Sequence, residues 1–183
     1  FASLFLIRRN NRFLMSLNRI EEISFNLLKN YRQESTNHDK SDSENILSLL
    51  ENLILEKQIE YRDKPNIELQ LQVHGNENNF YSKINRGSLK GIVSNLINNS
   101  YESLDQKSGS IKIFLSKEQN HNCIEVRDDG KGIPSGLSDK LFLKGFTTKE
   151  FGNGLGLFNA RKIIEAAGGS MSFRSEFTEG ASF

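Results

Sequence analysis

Residues 89–99 read Leu89-Lys90-Gly91-Ile92-Val93-Ser94-Asn95-Leu96-Ile97-Asn98-Asn99, and this stretch decides the fold. Its apolar residues recur at steps of three and four, a pattern that predicts a helix with one face in a core. Asn95 and Asn99 are four residues apart, so this helix places both carboxamides on one face and in one pocket wall. Taken alone, the pair also fits a solvated polar face in an Asn-rich chain.

Segments of alternating apolar and polar residues lie on both sides of this helix. The alternation predicts half-buried strands at 67–73, 111–115 and 124–126, and the asparagine helix lies between the first two. A last helix is predicted from Gly156 to Ala167, because Gly168-Gly169 is a suitable stop. Strands and helices are therefore mixed along the chain.

The end of the chain predicts a hairpin. Met171 and Phe173 begin a further strand, and this strand turns near Glu179-Gly180.

The first part of the chain has a different pattern. Apolar residues recur at helical spacing up to about Tyr31, which predicts a long amphipathic helix. The polar stretch from Gln33 to Glu44 has linker composition, and Ser41 and Glu44 are spaced as a capping box for a second helix that runs to about Tyr61. We therefore expect two parts, 1–35 and 36–183.

Composition excludes several classes of protein. The chain has 183 residues, of which 36% are apolar, enough for one core. Its net charge is +1 with both signs mixed throughout, so we expect neither nucleic acid nor an anionic membrane surface as a partner. The single cysteine, Cys123, excludes a disulfide framework and a Cys-based zinc site, and it fits a reducing cytoplasm.

The beginning of the chain carries no membrane or export signal. The apolar run Phe1 to Ile7 is far shorter than the roughly 20 residues of a membrane helix, and no cleavage site follows it. Since the chain opens on Phe1 without an initiator Met, we expect it to be a fragment of a longer protein, in which there is room for a membrane anchor upstream of Phe1.

A second motif, Asp128-Asp129-Gly130-Lys131-Gly132, follows the third predicted strand. The Asp128 carboxylate at the strand end can accept a hydrogen bond from an amine, which adenine offers and guanine does not offer at the same edge. Gly130 and Gly132 allow a base to approach the backbone closely, and Pro134 fixes the next turn. In isolation the motif also fits an ordinary turn.

The third motif, Phe146-Thr147-Thr148-Lys149-Glu150-Phe151-Gly152-Asn153-Gly154-Leu155-Gly156, opens the last predicted helix. It predicts a mobile phosphate lid. Glycines supply hinge freedom, the first amides of the helix supply donors, and Lys149 supplies positive charge. A glycine loop without function remains possible for this stretch alone.

Together the three motifs supply the parts of a site for ATP. The Asn99 carbonyl oxygen suits Mg²⁺, which takes oxygen ligands and is usually shared with substrate phosphates. A degenerate dinucleotide fingerprint at Gly130, Gly132 and Gly136 is the alternative. Two carboxylates would repel a pyrophosphate there, and Pro134 interrupts the helix that should receive it.

These motifs resemble the catalytic and ATP-binding part of sensor histidine kinases, in the superfamily that also holds gyrase B, Hsp90 and MutL. The resemblance covers nearly the whole chain and includes a phenylalanine box at Phe142 and Phe146. It implies catalytic roles for Asn95 and Lys149 and a metal ligand in Asn99. The ATP-binding residues that it implies are Asn95, Asn99, Asp128, Gly130, Gly132, Thr147, Thr148, Lys149, Gly152, Gly154, Leu155 and Gly156.

The resemblance also implies a fold and partners. The family has a two-layer α/β sandwich, in which a mixed sheet packs against three helices, so the fold class is α+β. Residues 18–32 are similar to the second helix of the family's dimerisation and phosphoacceptor hairpin. The implied partners are ATP, a response regulator receiver domain, and a second copy that dimerises through the hairpin of the full-length protein.

Two departures from the family pattern bear on the site. Many members carry Lys or Arg three residues after the metal asparagine, but here Glu102 stands there, which we interpret as an exposed acidic residue. Lys149 would then supply the positive charge that faces the phosphates. The closing Gly-Thr-x-Phe appears as Gly180-Ala181-Ser182-Phe183, without the hydroxyl that helps to hold the adenine-binding carboxylate. Ser182 should face the other side of its strand, so adenine affinity is expected to fall.

The phosphoacceptor histidine is absent from this sequence. None of His38, His74 and His121 stands in the family's His-Asp/Glu-apolar-Arg/Lys setting, and we interpret all three as solvated surface imidazoles. The chain should therefore phosphorylate a histidine that another chain supplies.

Chemistry favours a kinase over a hydrolase. ATP-hydrolysing relatives place a glutamate four residues before the metal asparagine, where this chain has Asn95, and a carboxamide is not a general base near neutral pH. An imidazole is already a nucleophile that needs mainly positioning and charge neutralisation. Two alternatives stay open: an anti-sigma-type serine kinase, and a degenerate nucleotide-binding scaffold for signalling and dimerisation.

Overall fold

A computed structural model describes residues 44–64, 67–75, 80–105, 108–149, 152–176 and 179–183. These residues belong to the unit Asp42–Phe183. The helix predicted up to Tyr31, the linker residues His38 and Ser41, and the proposed boundary between 35 and 36 lie outside the described residues.

Five strands of the described part of the chain form a mixed sheet: β2 (Ile67–His74), β4 (Gly109–Glu118), β5 (His121–Asp128), β6 (Arg174–Glu176) and β7 (Gly180–Ser182). Their order in the sheet is β2-β4-β5-β7-β6. β2 and β4 are parallel, and the other pairs are antiparallel. Two short strands, β1 (Glu44–Asn45) and β3 (Tyr81–Ser82), pair separately, and the sequence pattern does not predict them.

Three α-helices accompany the sheet: α1 (Ile46–Tyr61), α2 (Arg86–Ser103) and α3 (Gly156–Ala166). A 3-10 helix spans Ser135–Lys140. α2 connects β3 to β4, so it lies in the chain between the two parallel strands, and parallel strands need such a crossover. The three predicted helices that fall within the described residues, and the three long predicted strands, are confirmed.

The core lies between one face of the sheet and the helices. On β4, Ile111, Ile113 and Leu115 are fully buried, while the residues between them, including Lys112 and Phe114, are half-buried on the other face. Buried apolar residues of α1 and α2, such as Leu50 and Ile97, belong to the same cluster. The other face is not covered by the described residues, so the sandwich is open. The α+β class with a mixed sheet is confirmed.

Two predicted boundaries are wrong. The last strand begins at Arg174, where pairing with Ser182 of β7 begins, and the Phe173 ring before it packs against Phe142 and Phe183, each 6.0 Å away between centroids. α1 also starts later than the predicted capping box of Ser41 and Glu44 would place it. α1 begins at Ile46 because the Asn45 side chain accepts a hydrogen bond from the Ser48 amide at 3.0 Å.

A buried polar cluster joins α1 to α2. Lys57, which is only 6% exposed, donates to Glu60 at 2.7 Å and to Asn98 Oδ1 at 2.6 Å, and the Tyr61 hydroxyl donates to the same oxygen at 2.9 Å. Burial, with a smaller contribution from Glu60, raises the pKa of Tyr61 far above its ordinary value, so its hydroxyl stays a donor. Buried charges are stable only when paired in this way.

The beginning of α2 gives a first test of the fold. Asn85 caps this helix by accepting from the Ser88 amide at 2.9 Å. We expect Asn85→Ala to lower the free energy of unfolding by about 1 kcal/mol, because it leaves that amide unpaired. Urea denaturation followed by circular dichroism measures the change. Asn85→Asp keeps the acceptor and is the control, so an equal loss in both variants would contradict a capping role.

Candidate functional site

One stripe of α2 contacts every segment that the sequence motifs single out. Asn95, Asn99 and Ser103 follow one another at steps of four residues, so they lie on one face over two turns. Asn95 contacts the start of α3, Asn99 contacts the predicted lid, and Ser103 contacts the end of β5. The predicted site residues are thus brought together around this stripe.

Asn95 lies against the first residue of α3. A Cβ atom on Gly156 would come within 2.5 Å of Asn95 Oδ1, so only glycine permits this approach. The Asn95 Nδ2 atom is enclosed and finds no hydrogen-bond partner among the described residues. An enclosed donor without an acceptor costs about 1–3 kcal/mol, so the contact favours a ligand that brings an acceptor.

The Asn99 side chain contacts the positively charged side chain of Lys149 in the lid. The Lys149 ammonium donates to Asn99 Oδ1 at 2.7 Å and lies 2.6 Å from Glu102 Oε2, one helical turn nearer the end of α2. Glu102, which the sequence predicts to be an exposed acidic residue, is half exposed and pairs with the lid lysine. Two oxygen atoms and one positive charge therefore meet at the position that the sequence assigns to metal and phosphate.

Asp128 is buried at the end of β5, with 5% of its surface exposed. Its Oδ1 atom accepts from the Ser103 hydroxyl at 2.7 Å and from the Gly130 amide at 3.0 Å. Asp129 has a different role, since it accepts from the amide and the hydroxyl of Ser110 at 2.8 and 3.1 Å. The two neighbouring carboxylates are thus separated, and only Asp128 faces the stripe on α2.

The predicted lid is a loop whose ends meet. The Gly145 amide donates to the Gly154 carbonyl at 3.0 Å, and Gly154 has a φ of +64° with Gly145 packed against it. Within the loop, Thr147 Oγ1 accepts from the Lys149 amide at 3.1 Å, and Gly152 lies against the same hydroxyl. Thr148 is exposed. This closure fixes the base of the loop at Gly145 and Gly154.

The remaining site residues flank these contacts. Leu155 precedes α3, and its amide donates to Asn153 Oδ1 at 3.0 Å. α3 has no side-chain cap, so its first amides are available to an acceptor. Gly132, with a φ of +65°, continues the turn after Asp128. Phe142 of the phenylalanine box packs against Phe173 and lies under Arg161, and Phe146 is half-buried.

Sequence reasoning missed Ser103. Its position, four residues after Asn99, is the signal that would have found it, because it extends the asparagine face by one turn. The hydroxyl absent at Ala181 is not replaced by Ser182, which donates to Glu125 Oε1 at 2.6 Å on the other face of the sheet, as the sequence predicts.

A surface depression of about 480 Å³ lies apart from the motifs. It is lined by Gln58, Tyr61, Arg62 and Lys64 near the end of α1 and by residues of β2, and none of its lining residues is a predicted site residue. None of the helices in the described part of the chain has the length and apolar character needed to cross a bilayer.

Comparison with known proteins identifies the family of these motifs. The family described as "Histidine kinase-, DNA gyrase B-, and HSP90-like ATPase" matches residues 84–183. A probable C4-dicarboxylate sensor kinase of Halalkalibacterium halodurans is 36% identical over 96 residues, which are 50% of this chain and 18% of that kinase. The chain thus spans less than a fifth of this relative's length.

Solved structures show the same fold. The catalytic domain of histidine kinase ThkA, in a nucleotide-free form, superposes with a TM-score of 0.68 and 27% identity, over 79% of this chain and 93% of that domain. A second structure shows ThkA in complex with the response regulator protein TrrA, with a TM-score of 0.66 and 23% identity, over 91% of this chain and 47% of that one.

The contact between Asn95 and Gly156 gives the second test. Gly156→Ala should weaken binding of a fluorescent ATP analogue at least about fivefold, about 1 kcal/mol, because the added methyl displaces the Asn95 carboxamide or the start of α3. Gly136→Ala is the matched control, since its Cβ meets nothing within 4 Å. Fluorescence titration measures both. Equal affinities would show that the close approach does not matter for the ligand.

Proposed function

The chain belongs to the histidine kinase-, DNA gyrase B- and HSP90-like ATPase family, and from this premise we propose that it is the catalytic part of a sensor histidine kinase. Family membership implies ATP binding. We propose further that the chain transfers the γ-phosphoryl group of Mg-ATP to a histidine on a dimerisation hairpin, for relay to a response regulator. The observation that carries this proposal is that one stripe of α2 contacts the carboxylate, the lid lysine and the start of α3.

Each contact has a role in this proposal. Asp128 accepts a hydrogen bond from the exocyclic amine of adenine. The uncapped start of α3, with Gly154 and Gly156, donates backbone amides to phosphate oxygens, and Leu155, whose amide now donates to Asn153 Oδ1, would give up that contact to join them. The enclosed Asn95 Nδ2 atom donates to the same phosphates. The lid residues Thr147 and Thr148 add hydroxyl donors, and Gly130, Gly132 and Gly152 allow the backbone to approach the nucleotide.

We assign the metal contact to Asn99. Its Oδ1 atom accepts a hydrogen bond from the Lys149 ammonium group at 2.7 Å, which supports a role for this oxygen beside a cation. Across the described ranges, no three His, Cys, Asp or Glu side chains converge to hold a metal, so substrate phosphates and water would complete the coordination. A bound Mg²⁺ neutralises and orients the phosphate oxygens.

Lys149 would move from its present partners to the phosphate. Nucleotide phosphates carry more negative charge than Glu102, and Mg²⁺ would take the Asn99 oxygen, so both present contacts are replaced on binding. Lys149 then neutralises charge that develops on the transferred phosphoryl group. The chain needs no general base for this reaction, because the acceptor imidazole is itself the nucleophile.

The wider setting follows from the relatives. ThkA has been solved with a response regulator, which supports a receiver domain as a partner of this chain. We propose that residues 1–35 belong to the dimerisation hairpin and residues 36–183 to the ATP-binding domain, which works in the cytoplasm. An anti-sigma-type serine kinase and a degenerate scaffold remain the alternatives.

Phosphoryl transfer to a supplied hairpin tests the proposal. The chain is mixed with a dimeric hairpin that carries a histidine, with labelled ATP and Mg²⁺, and we expect acid-labile phosphate on the hairpin. Asn99→Ala should reduce transfer at least about a hundredfold, as expected for loss of a charge-stabilising group, and should remove the Mg²⁺ dependence of ATP binding.

Other outcomes separate the alternatives. Acid-stable phosphate on a protein substrate would identify a serine kinase instead. ATP binding without phosphoryl transfer to any supplied protein would identify a degenerate scaffold, and full Mg²⁺-dependent affinity in Asn99→Ala would contradict the metal assignment.

The pair of Lys149 and Glu102 gives a separate prediction. Glu102→Gln should tighten binding of a fluorescent ATP analogue by up to about fivefold, because an exposed ion pair of about 0–1 kcal/mol no longer competes for the lysine. Lys149→Met should weaken binding, and in this background Glu102→Gln should have a smaller effect. Titrations at low and high salt measure these changes. Weaker binding by Glu102→Gln alone would instead make Glu102 a ligand-supporting residue.

A further inference from the structure

We propose that Ser103 is the positioning residue that orients Asp128 for recognition of adenine, an inference that rests on the proposed nucleotide function. No sequence motif includes Ser103. Its hydroxyl lies 2.7 Å from Asp128 Oδ1, and it stands one turn beyond Asn99 on α2. The same helix face would thus present the phosphate end and the base end of one nucleotide.

The two donors on Asp128 leave one oxygen for the ligand. Oδ1 accepts from the Ser103 hydroxyl and from the Gly130 amide, and no described residue donates to Oδ2. Rotation about the terminal bond of an aspartate is soft, so its plane is set by the donors around it. With Oδ1 held from two directions, Oδ2 is fixed in position to accept from an amine.

Ser103 also attaches the turn after Asp128 to the helix. The Lys131 amide donates to the Ser103 carbonyl at 3.1 Å. A Cβ atom on Gly130 would come within 2.0 Å of the Ser103 hydroxyl oxygen and 2.8 Å of its carbonyl carbon, so Gly130 must be glycine for this contact to exist. Ser103 therefore connects the end of α2 to the turn that follows β5.

The neighbouring strand offers no substitute. Ala181 stands directly opposite Asp128 in the β5–β7 pair and has no hydroxyl. The Ser182 hydroxyl is committed to Glu125 on the opposite face. Among the described residues, Ser103 is the only side chain that donates to Asp128. The hydroxyl that β7 lacks is thus supplied by the helix.

A purely local role for Ser103 is the competing explanation. Its hydroxyl oxygen also lies 2.7 Å from the Ser100 carbonyl, an arrangement that serine commonly adopts in helices. A hydroxyl has one hydrogen, and an ionised carboxylate is the stronger acceptor. The two distances are equal, so it is the charge of the carboxylate that favours donation to Asp128. The two roles differ in one measurable property, because only the contact with Asp128 affects which base is bound.

Base selectivity is the decisive measurement. ATP and inosine triphosphate compete with a fluorescent ATP analogue for the 183-residue chain, and the ratio of their affinities is compared among variants. Inosine presents a carbonyl where adenine presents an amine, so it cannot donate to Asp128. Ser103→Ala should weaken ATP roughly tenfold while inosine triphosphate changes little, so the ratio falls by the same factor.

Two further variants separate positioning from folding. Ser103→Thr keeps the hydroxyl and should restore the ratio. Ser94→Ala removes a half-buried serine from the same helix, one that makes no side-chain hydrogen bond within the described ranges, and should leave the ratio unchanged. Urea denaturation shows whether each variant folds. If Ser103→Ala unfolds, a ratio in Ser103→Thr equal to that of the original chain supports the proposal, and a reduced ratio overturns it.

Different outcomes of this titration test the role of Ser103 and the binding of nucleotides by the chain. If the original chain prefers ATP and folded Ser103→Ala keeps the same ratio, Ser103 does not position Asp128, although the chain still binds adenine nucleotides. If ATP and inosine triphosphate bind equally well to the original chain, the adenine-reading role of Asp128 is wrong and this inference falls, whereas if neither binds, the proposed function falls as well.

Discussion

The spacing of three side chains along α2 is the constraint on which the site depends. Asn95, Asn99 and Ser103 are about 6 Å apart along the helix axis, since each step of four residues rises about 1.5 Å per residue. Each contacts a different segment, and all three segments are far from α2 in sequence. The helix therefore sets the distances among the glycine turn, the lid and the start of α3. The buried cluster of Lys57, Tyr61 and Asn98 fixes this helix against α1 from another side.

At the middle of the stripe, the negative charge of Glu102 is balanced by the ammonium group of Lys149. Asn99 and Glu102 present oxygen atoms, and the Lys149 ammonium sits between them. The ion pair is about half exposed, so it contributes little to stability and is readily broken. A nucleotide with its metal would supply both a new cation for Asn99 and a stronger anion for Lys149. The lid can therefore exchange partners without leaving a buried charge unpaired.

Local patterns in the sequence predict most of the fold, and contacts between distant residues account for what they miss. The asparagine helix, the long strands and α3 follow from periodicity within a few residues, and so does the grouping of Asn95 with Asn99. The start of the last strand does not, because it depends on where the segment before it begins to pair with β7. Ser103 was missed for the same reason. Nothing within its own segment shows that Asp128, 25 residues later, lies beside it.

The two ends of the stripe differ in how well their polar groups are satisfied. At Asp128, two donors hold one carboxylate oxygen and leave the other for a ligand, so the part of the site that would bind the base is preorganised. At Asn95, an enclosed Nδ2 atom has no acceptor among the described residues. Such a donor favours any state that brings an acceptor, and a phosphate oxygen at the uncapped start of α3 is one. The part of the site around Asp128 would then select the base. The part around Asn95, which is connected to the lid and α3, would change its conformation most when a nucleotide binds.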